Sequence, residues 1–144
     1  MRIPTIVTLF FIILFFGCEE KKTVYEIDDE IIQEYLQKTH LDTAAIKHSS
    51  GLYYIIENEG YGKHPDIYDN IEVLTLGYYT DSVVFQSDNA PINGPLSSFI
   101  KGWQYGIPMI GKGGKIKLFI PRYLAYNKEV LIFDIDLRNV WSEK

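Results

Sequence analysis

A single short apolar helix, set among segments patterned as strands, limits the folds open to this chain of 144 residues. It lies in the stretch Leu96-Ser97-Ser98-Phe99-Ile100-Lys101-Gly102-Trp103-Gln104-Tyr105-Gly106. Ser97 or Ser98 is placed to cap a helix N-terminus by accepting a hydrogen bond from a free backbone N–H. Phe99 and Trp103 are four apart, and Ile100, Trp103 and Ile107 follow at helical spacing, so one face is apolar. Gly102 costs such a helix about 1 kcal/mol relative to Ala, which predicts a close approach of other atoms to the backbone there. Gly106 is expected to end the helix. Two turns cannot bury so much aromatic surface alone, so the helix needs a sheet around it.

The flanking sequence offers one. Ser50-Gly51 opens a strand that continues through Leu52-Tyr53-Tyr54-Ile55-Ile56, and residues 60–65 read as a loop. A second strand covers residues 71–80, Asp81-Ser82 is a turn, and residues 83–87 form another strand. Residues 88–95, with Asn89, Pro91, Asn93, Gly94 and Pro95, read as a loop. Residues 115–120 alternate strictly, with Ile116, Leu118 and Ile120 opposite Lys115, Lys117 and Phe119. Residues 131–140 alternate Leu131, Phe133, Ile135 and Leu137 against Ile132, Asp134, Asp136 and Arg138. Such alternation predicts an antiparallel sheet with one buried face. The class is α+β, with the sheet wrapped across the one central helix.

Upstream, residues 3–16 are almost wholly apolar after Arg2, too short for a membrane span of about 20 residues but suited to a signal-peptide core. Gly17 precedes Cys18, the chain's only cysteine, so no internal disulfide can form. A small residue before a lone cysteine at this place resembles the lipobox of bacterial lipoproteins, which implies lipid attachment at Cys18. Next comes a charged tether. A helix capped by Asp28 or Asp29 then carries the stripe Ile31, Ile32, Tyr35, Leu36 and ends near Thr39 or His40. The expected organisation is residues 1–17 as signal peptide, 18–27 as lipid-attached tether, 28–48 as a helical segment and 49–144 as the folded domain.

Several function classes fall away. A net charge of −5 argues against nucleic-acid binding through charge. Residues 106–112 imitate the start of a phosphate-binding loop, but Gly113 stands where Ser or Thr is needed, and the stretch follows a helix instead of a strand. His40, His48 and His64 lack metal-ligand spacing. Asp134 and Asp136 share what reads as a solvated strand face.

From residue 50 to 140 the chain resembles the FKBP-type peptidyl-prolyl cis-trans isomerases. The resemblance is carried by Ile100-Lys101-Gly102-Trp103 with Gly106, the Ser-Gly-Leu-Tyr-Tyr opening, Asp81 with Val84-Phe85, and Pro95-Leu96-Ser97. Gly113-Gly114-Lys115, Ile120-Pro121, Leu124-Ala125-Tyr126 and the strand of Phe133 add to it. It implies an FKBP-like sheet across the helix and a proline-binding cup floored by Trp103. The implied walls are Phe85, Phe99, Ile100, Tyr126 and Phe133, with Trp103 and Tyr126 as the catalytic pair. It implies no cofactor and no metal. The implied partners are proline-containing polypeptides, plus a membrane reached through lipid on Cys18, so that exported proteins are assisted at the cell envelope. Three features depart from the family pattern: Thr75 replaces a tyrosine, Gln86 an aspartate, and residues 127–130 a long loop. The shortened loop should open the cup and weaken binding and catalysis. The alternative expectation is an FKBP-like binding or scaffold lipoprotein, such as an accessory subunit of an envelope or motility complex.

Overall fold

The computed structural model describes residues 20–87 and 89–142; the expected signal peptide and Cys18 lie outside them. Helix α1 (Val24–Lys38) leads into β1 (Ile46–Lys47), β2 (Tyr53–Asn58), β3 (Asn70–Tyr78), β4 (Val84–Ser87) and β5 (Ile92–Pro95). Helix α2 (Lys101–Gly106), β6 (Lys115–Ile120) and β7 (Leu131–Trp141) complete the chain, with 3-10 turns at residues 96–98, 107–109 and 122–124. The strands form one antiparallel sheet ordered β1-β2-β6-β7-β3-β4, and β5 pairs with the first half of β3.

The central helix meets the sheet through two glycines one turn apart. A Cβ on Gly102 would lie 2.5 Å from Ile120 Cγ2, and one on Gly106 would lie 2.5 Å from Leu118 Cδ2. Gly102 therefore gives up helix propensity so that β6 can seat directly against the backbone, as its sequence position predicts. Ile116, Leu118 and Ile120 of β6 join Phe133, Ile135 and Leu137 of β7, Ile71 and Val73 of β3, and Trp103 in one buried cluster.

The opposite sheet face is also partly covered, which corrects the expectation of one buried face. Ile32 and Leu36 of α1 pack on Tyr53, Phe119, Val130 and Ile132, the residues that alternation directs away from α2. Beyond the reach of α1 the same face turns polar. There Lys117 pairs with Asp134, while Asp136 pairs with Lys115 at 3.4 Å and Arg138 at 3.0 Å.

Three further boundaries differ from the sequence expectation. First, α1 starts four residues before Asp28, inside the expected tether, because Thr23 and Glu26 form a capping box. Thr23 N–H donates to Glu26 Oε2 at 2.7 Å, and Glu26 N–H to Thr23 Oγ1 at 3.3 Å. Second, neither Ser97 nor Ser98 caps α2. Both lie in the preceding 3-10 turn, where Ser98 Oγ donates to the Pro95 carbonyl at 2.7 Å. Gln104 Nε2 donates back to the Phe99 carbonyl at 2.7 Å, which ties α2 to the link before it, and the chain runs past Gly106 into the turn at residues 107–109. Third, the expected loop at residues 88–95 contains β5, whose backbone pairs with Asn70, Ile71, Glu72 and Val73.

Candidate functional site

Above α2 lies a cleft of about 230 Å³ lined by Gln86, Ile92, Ser98, Phe99, Ile100, Trp103, Tyr126 and Phe133. Each wall is placed by a different element. Phe99 and Ile100 arrive on the extended link between the 3-10 turn at 96–98 and α2, and Trp103 sits on the first turn of α2. Phe133 comes from β7, Gln86 from β4 and Ile92 from β5, while Tyr126 stands on the turn between β6 and β7.

The base is a stack of rings. Phe99 lies over Trp103 with centroids 5.0 Å apart and planes 30° apart. Phe133 meets Trp103 edge-on, at 5.2 Å and 85°, the geometry that ring quadrupoles favour. Trp103 is 3% exposed and Phe133 1%, so both are core side chains that present a limited surface to the cleft. Trp103 Nε1 is buried without a hydrogen-bond partner among the described residues, so the indole acts here as an apolar plate. Tyr126 is the opposite case at 63% exposed. Its phenol has room to meet a ligand. Among the described lining residues none carries a charge, and the polar groups are the Gln86 amide, the Ser98 hydroxyl and the Tyr126 phenol.

The structure thus brings together Trp103, Phe99, Ile100, Tyr126 and Phe133. Phe85 is set apart: it does not line the cleft but backs it, edge-on to Phe133 at 5.4 Å and 4.8 Å from the ring of Tyr79. Gly77 on β3 makes room for it, since a Cβ there would lie 2.7 Å from Phe85 Cζ. Thr75 is likewise buried away from the lining, with its hydroxyl unpartnered among the described residues. Ile92 and Ser98 were not foreseen as lining residues. The one available signal was Ile92, an isolated β-branched residue among turn formers.

Residues 62–138 match the family described as FKBP-type peptidyl-prolyl cis-trans isomerase. The chain belongs to this family. It is 32% identical over 131 residues to the probable FKBP-type isomerase FkpA of Neisseria meningitidis, a match covering 82% of this chain and 47% of that protein. The crystal structure of FkpA from Escherichia coli superposes with a TM-score of 0.73 at 32% identity, covering 81% of this chain and 61% of that one. A Pseudomonas syringae peptidyl-prolyl isomerase gives 0.69 at 22% identity, covering 86% of this chain and 100% of the other, a likeness of fold alone. The chain spans about half the length of the curated relatives it matches. The FKBP fold of a sheet across one short helix is therefore present, as the motifs implied. The family match begins after α1, β1 and β2, so it leaves the role of α1 to be read from contacts.

Proposed function

We propose that this chain is a peptidyl-prolyl isomerase that takes the proline ring of an X–Pro segment into the cleft above Trp103. The observation that carries this reading is the ring-floored, uncharged cleft of Phe99, Trp103, Phe133 and Tyr126 on an FKBP fold. Rotation about the prolyl amide must cross a barrier of about 18–20 kcal/mol created by resonance. The planar amide is more dipolar than the twisted one, so water holds back the reaction by stabilising the ground state. An apolar cup removes that water and fits the twisted form, lowering the barrier without a nucleophile or cofactor. Tyr126 and Trp103 take the catalytic roles, the phenol donating to a substrate carbonyl and the indole shaping the floor. Phe99, Ile100 and Phe133 bind the ring, with Phe85 supporting Phe133 from behind.

The test is cis–trans exchange of a short X–Pro peptide followed by NMR with catalytic amounts of protein. Acceleration that Phe99→Ala and Trp103→Ala both reduce supports the reading; no acceleration by wild-type protein overturns it. A second reading is a peptide-binding module without turnover, favoured by the short turn after Tyr126 and the exposure of its ring. Saturable peptide binding without faster exchange is its signature.

The site of action belongs to the same proposal. Residues 1–17 would direct export and Cys18 would carry lipid, holding the domain at the outer side of a membrane through the short segment before α1. Among the described residues no helix is long and apolar enough to cross a membrane. Intact mass and detergent partitioning should both change in Cys18→Ser; unchanged values would contradict lipidation.

A further inference from the structure

The turn that carries Tyr126 is rooted in a residue of the N-terminal helix. Asp28 is 0% exposed, and its carboxylate holds one residue at two points. Oδ2 accepts the Arg122 backbone N–H at 2.8 Å, and Oδ1 accepts Arg122 Nε–H at 2.5 Å, across 94 positions of sequence. The Arg122 carbonyl in turn accepts from Ala125 N–H at 3.1 Å and from Asn127 N–H at 2.8 Å. These are the two residues that flank Tyr126. One residue, Arg122, therefore closes the arch from which the Tyr126 ring projects, and Asp28 holds that residue through its backbone N–H and its guanidinium. One turn earlier on α1, Tyr25 packs on Tyr123 with ring centroids 4.5 Å apart, and Tyr123 Oη donates to the Ser50 carbonyl at 3.2 Å.

A buried carboxylate loses its hydration and needs its oxygens paired, so an acid at this helical position needs a specific partner. Here both oxygens are used on Arg122, and α1 gains nothing from them, since Thr23 already caps it. The Tyr126 ring is mostly in solvent, at 63% exposed. Its position comes from its backbone.

We propose that Asp28 is a positioning residue for the candidate site: through Arg122 it sets the arch that holds Tyr126 at the cleft. The role given to Tyr126 in turnover rests on the isomerase reading above; the coupling of Asp28 to Tyr126 does not. The helix is thereby a working part of the site, not only a spacer between tether and domain.

The experiment uses the full chain in four forms: wild type, Asp28→Asn, Tyr126→Ala, and the two together. Peptide exchange and the urea midpoint are measured for each, and the aromatic ¹³C resonances of Tyr126 for wild type and Asp28→Asn. Asp28→Asn keeps the shape and one acceptor oxygen, the urea midpoint checks that the fold is retained, and Tyr25→Ala perturbs the neighbouring contact of α1 with Tyr123 in the same turn. The expected result is a shifted or broadened Tyr126 signal in Asp28→Asn. Exchange should slow by about five- to tenfold, since small displacements of a positioning group cost that much or more. In the Tyr126→Ala background the same substitution should cost almost nothing, because residues that act through one another are not additive. Equal losses in both backgrounds, or an unmoved Tyr126 signal, would overturn the proposal. Absence of exchange activity in wild type would remove the isomerase reading, while the Tyr126 signal would still decide whether Asp28 sets the arch.

Discussion

Trp103 belongs to the core and to the cleft at once, and this dual membership sets what its substitution can report. Replacing it with Ala should cost about 3–5 kcal/mol of stability in a urea titration, because a buried aromatic is lost together with the floor. Tyr126→Phe isolates the chemistry instead. Its ring is solvent-facing, so stability should stay within about 0.5 kcal/mol of wild type while peptide exchange slows. Gly102→Ala tests the helix–sheet contact. The gain of about 1 kcal/mol in helix propensity should be outweighed, since the new methyl would meet the fully buried Ile120 at 2.5 Å. A net loss of about 1–3 kcal/mol is expected by thermal unfolding. Asp69 supplies a pH signature. Lys63 Nζ at 2.6 Å and Ser142 Oγ at 2.6 Å both donate to Oδ1, and they hold the carboxyl down to about 2 from 3.8. A depressed carboxyl stabilises the fold above its unfolded value, and that contribution fades as pH falls from 3.8 towards 2. With the half-exposed Lys63 screened by solvent, it amounts to about 1–2 kcal/mol. Unfolding midpoints of wild type and Asp69→Asn should therefore converge as the pH drops through that window.

At the level of elements, α1 illustrates what tertiary contacts add to a sequence pattern. Thr23→Ala should weaken it by about 1 kcal/mol, seen as faster amide exchange in its first turn with the central sheet unchanged. The stripe Ile31, Ile32, Tyr35, Leu36 announces a helix with one buried side, and that side does pack on the sheet. The capping box was equally present in Thr23-x-x-Glu26, but it stands in a charged run where Asp28 and Asp29 offer competing caps. What Asp28 does instead was illegible, because its partner is 94 residues away and no local rule pairs them. Strands β6 and β7 lie at the opposite pole. Their alternation fixes both position and facing, and even Phe119 and Ile132, which look misplaced on a polar face, are explained once α1 covers them. β5 hides for a local reason. Asn93, Gly94 and Pro95 are turn formers, and only pairing with Asn70 to Val73 holds them extended. The cleft residue Ile92 is hidden with it.

For the whole molecule, the sheet is clad on both sides but for different ends. Helix α2 and the cleft occupy one face, and α1 shields part of the other face and braces the turn that bears Tyr126. Only four residues separate Tyr126 from β7, so the turn beside the cleft is short. Less water is excluded there than under a longer loop, so the isomerase reading calls for modest turnover with little discrimination among peptides. The decisive measurement is two-dimensional NMR exchange on an X–Pro peptide in the presence of substoichiometric full-length protein. Exchange cross-peaks that grow with protein concentration, and that fall in Phe99→Ala while its fold is retained, are the predicted result. Exchange at the uncatalysed rate across the whole concentration range would contradict a prolyl isomerase at this cleft.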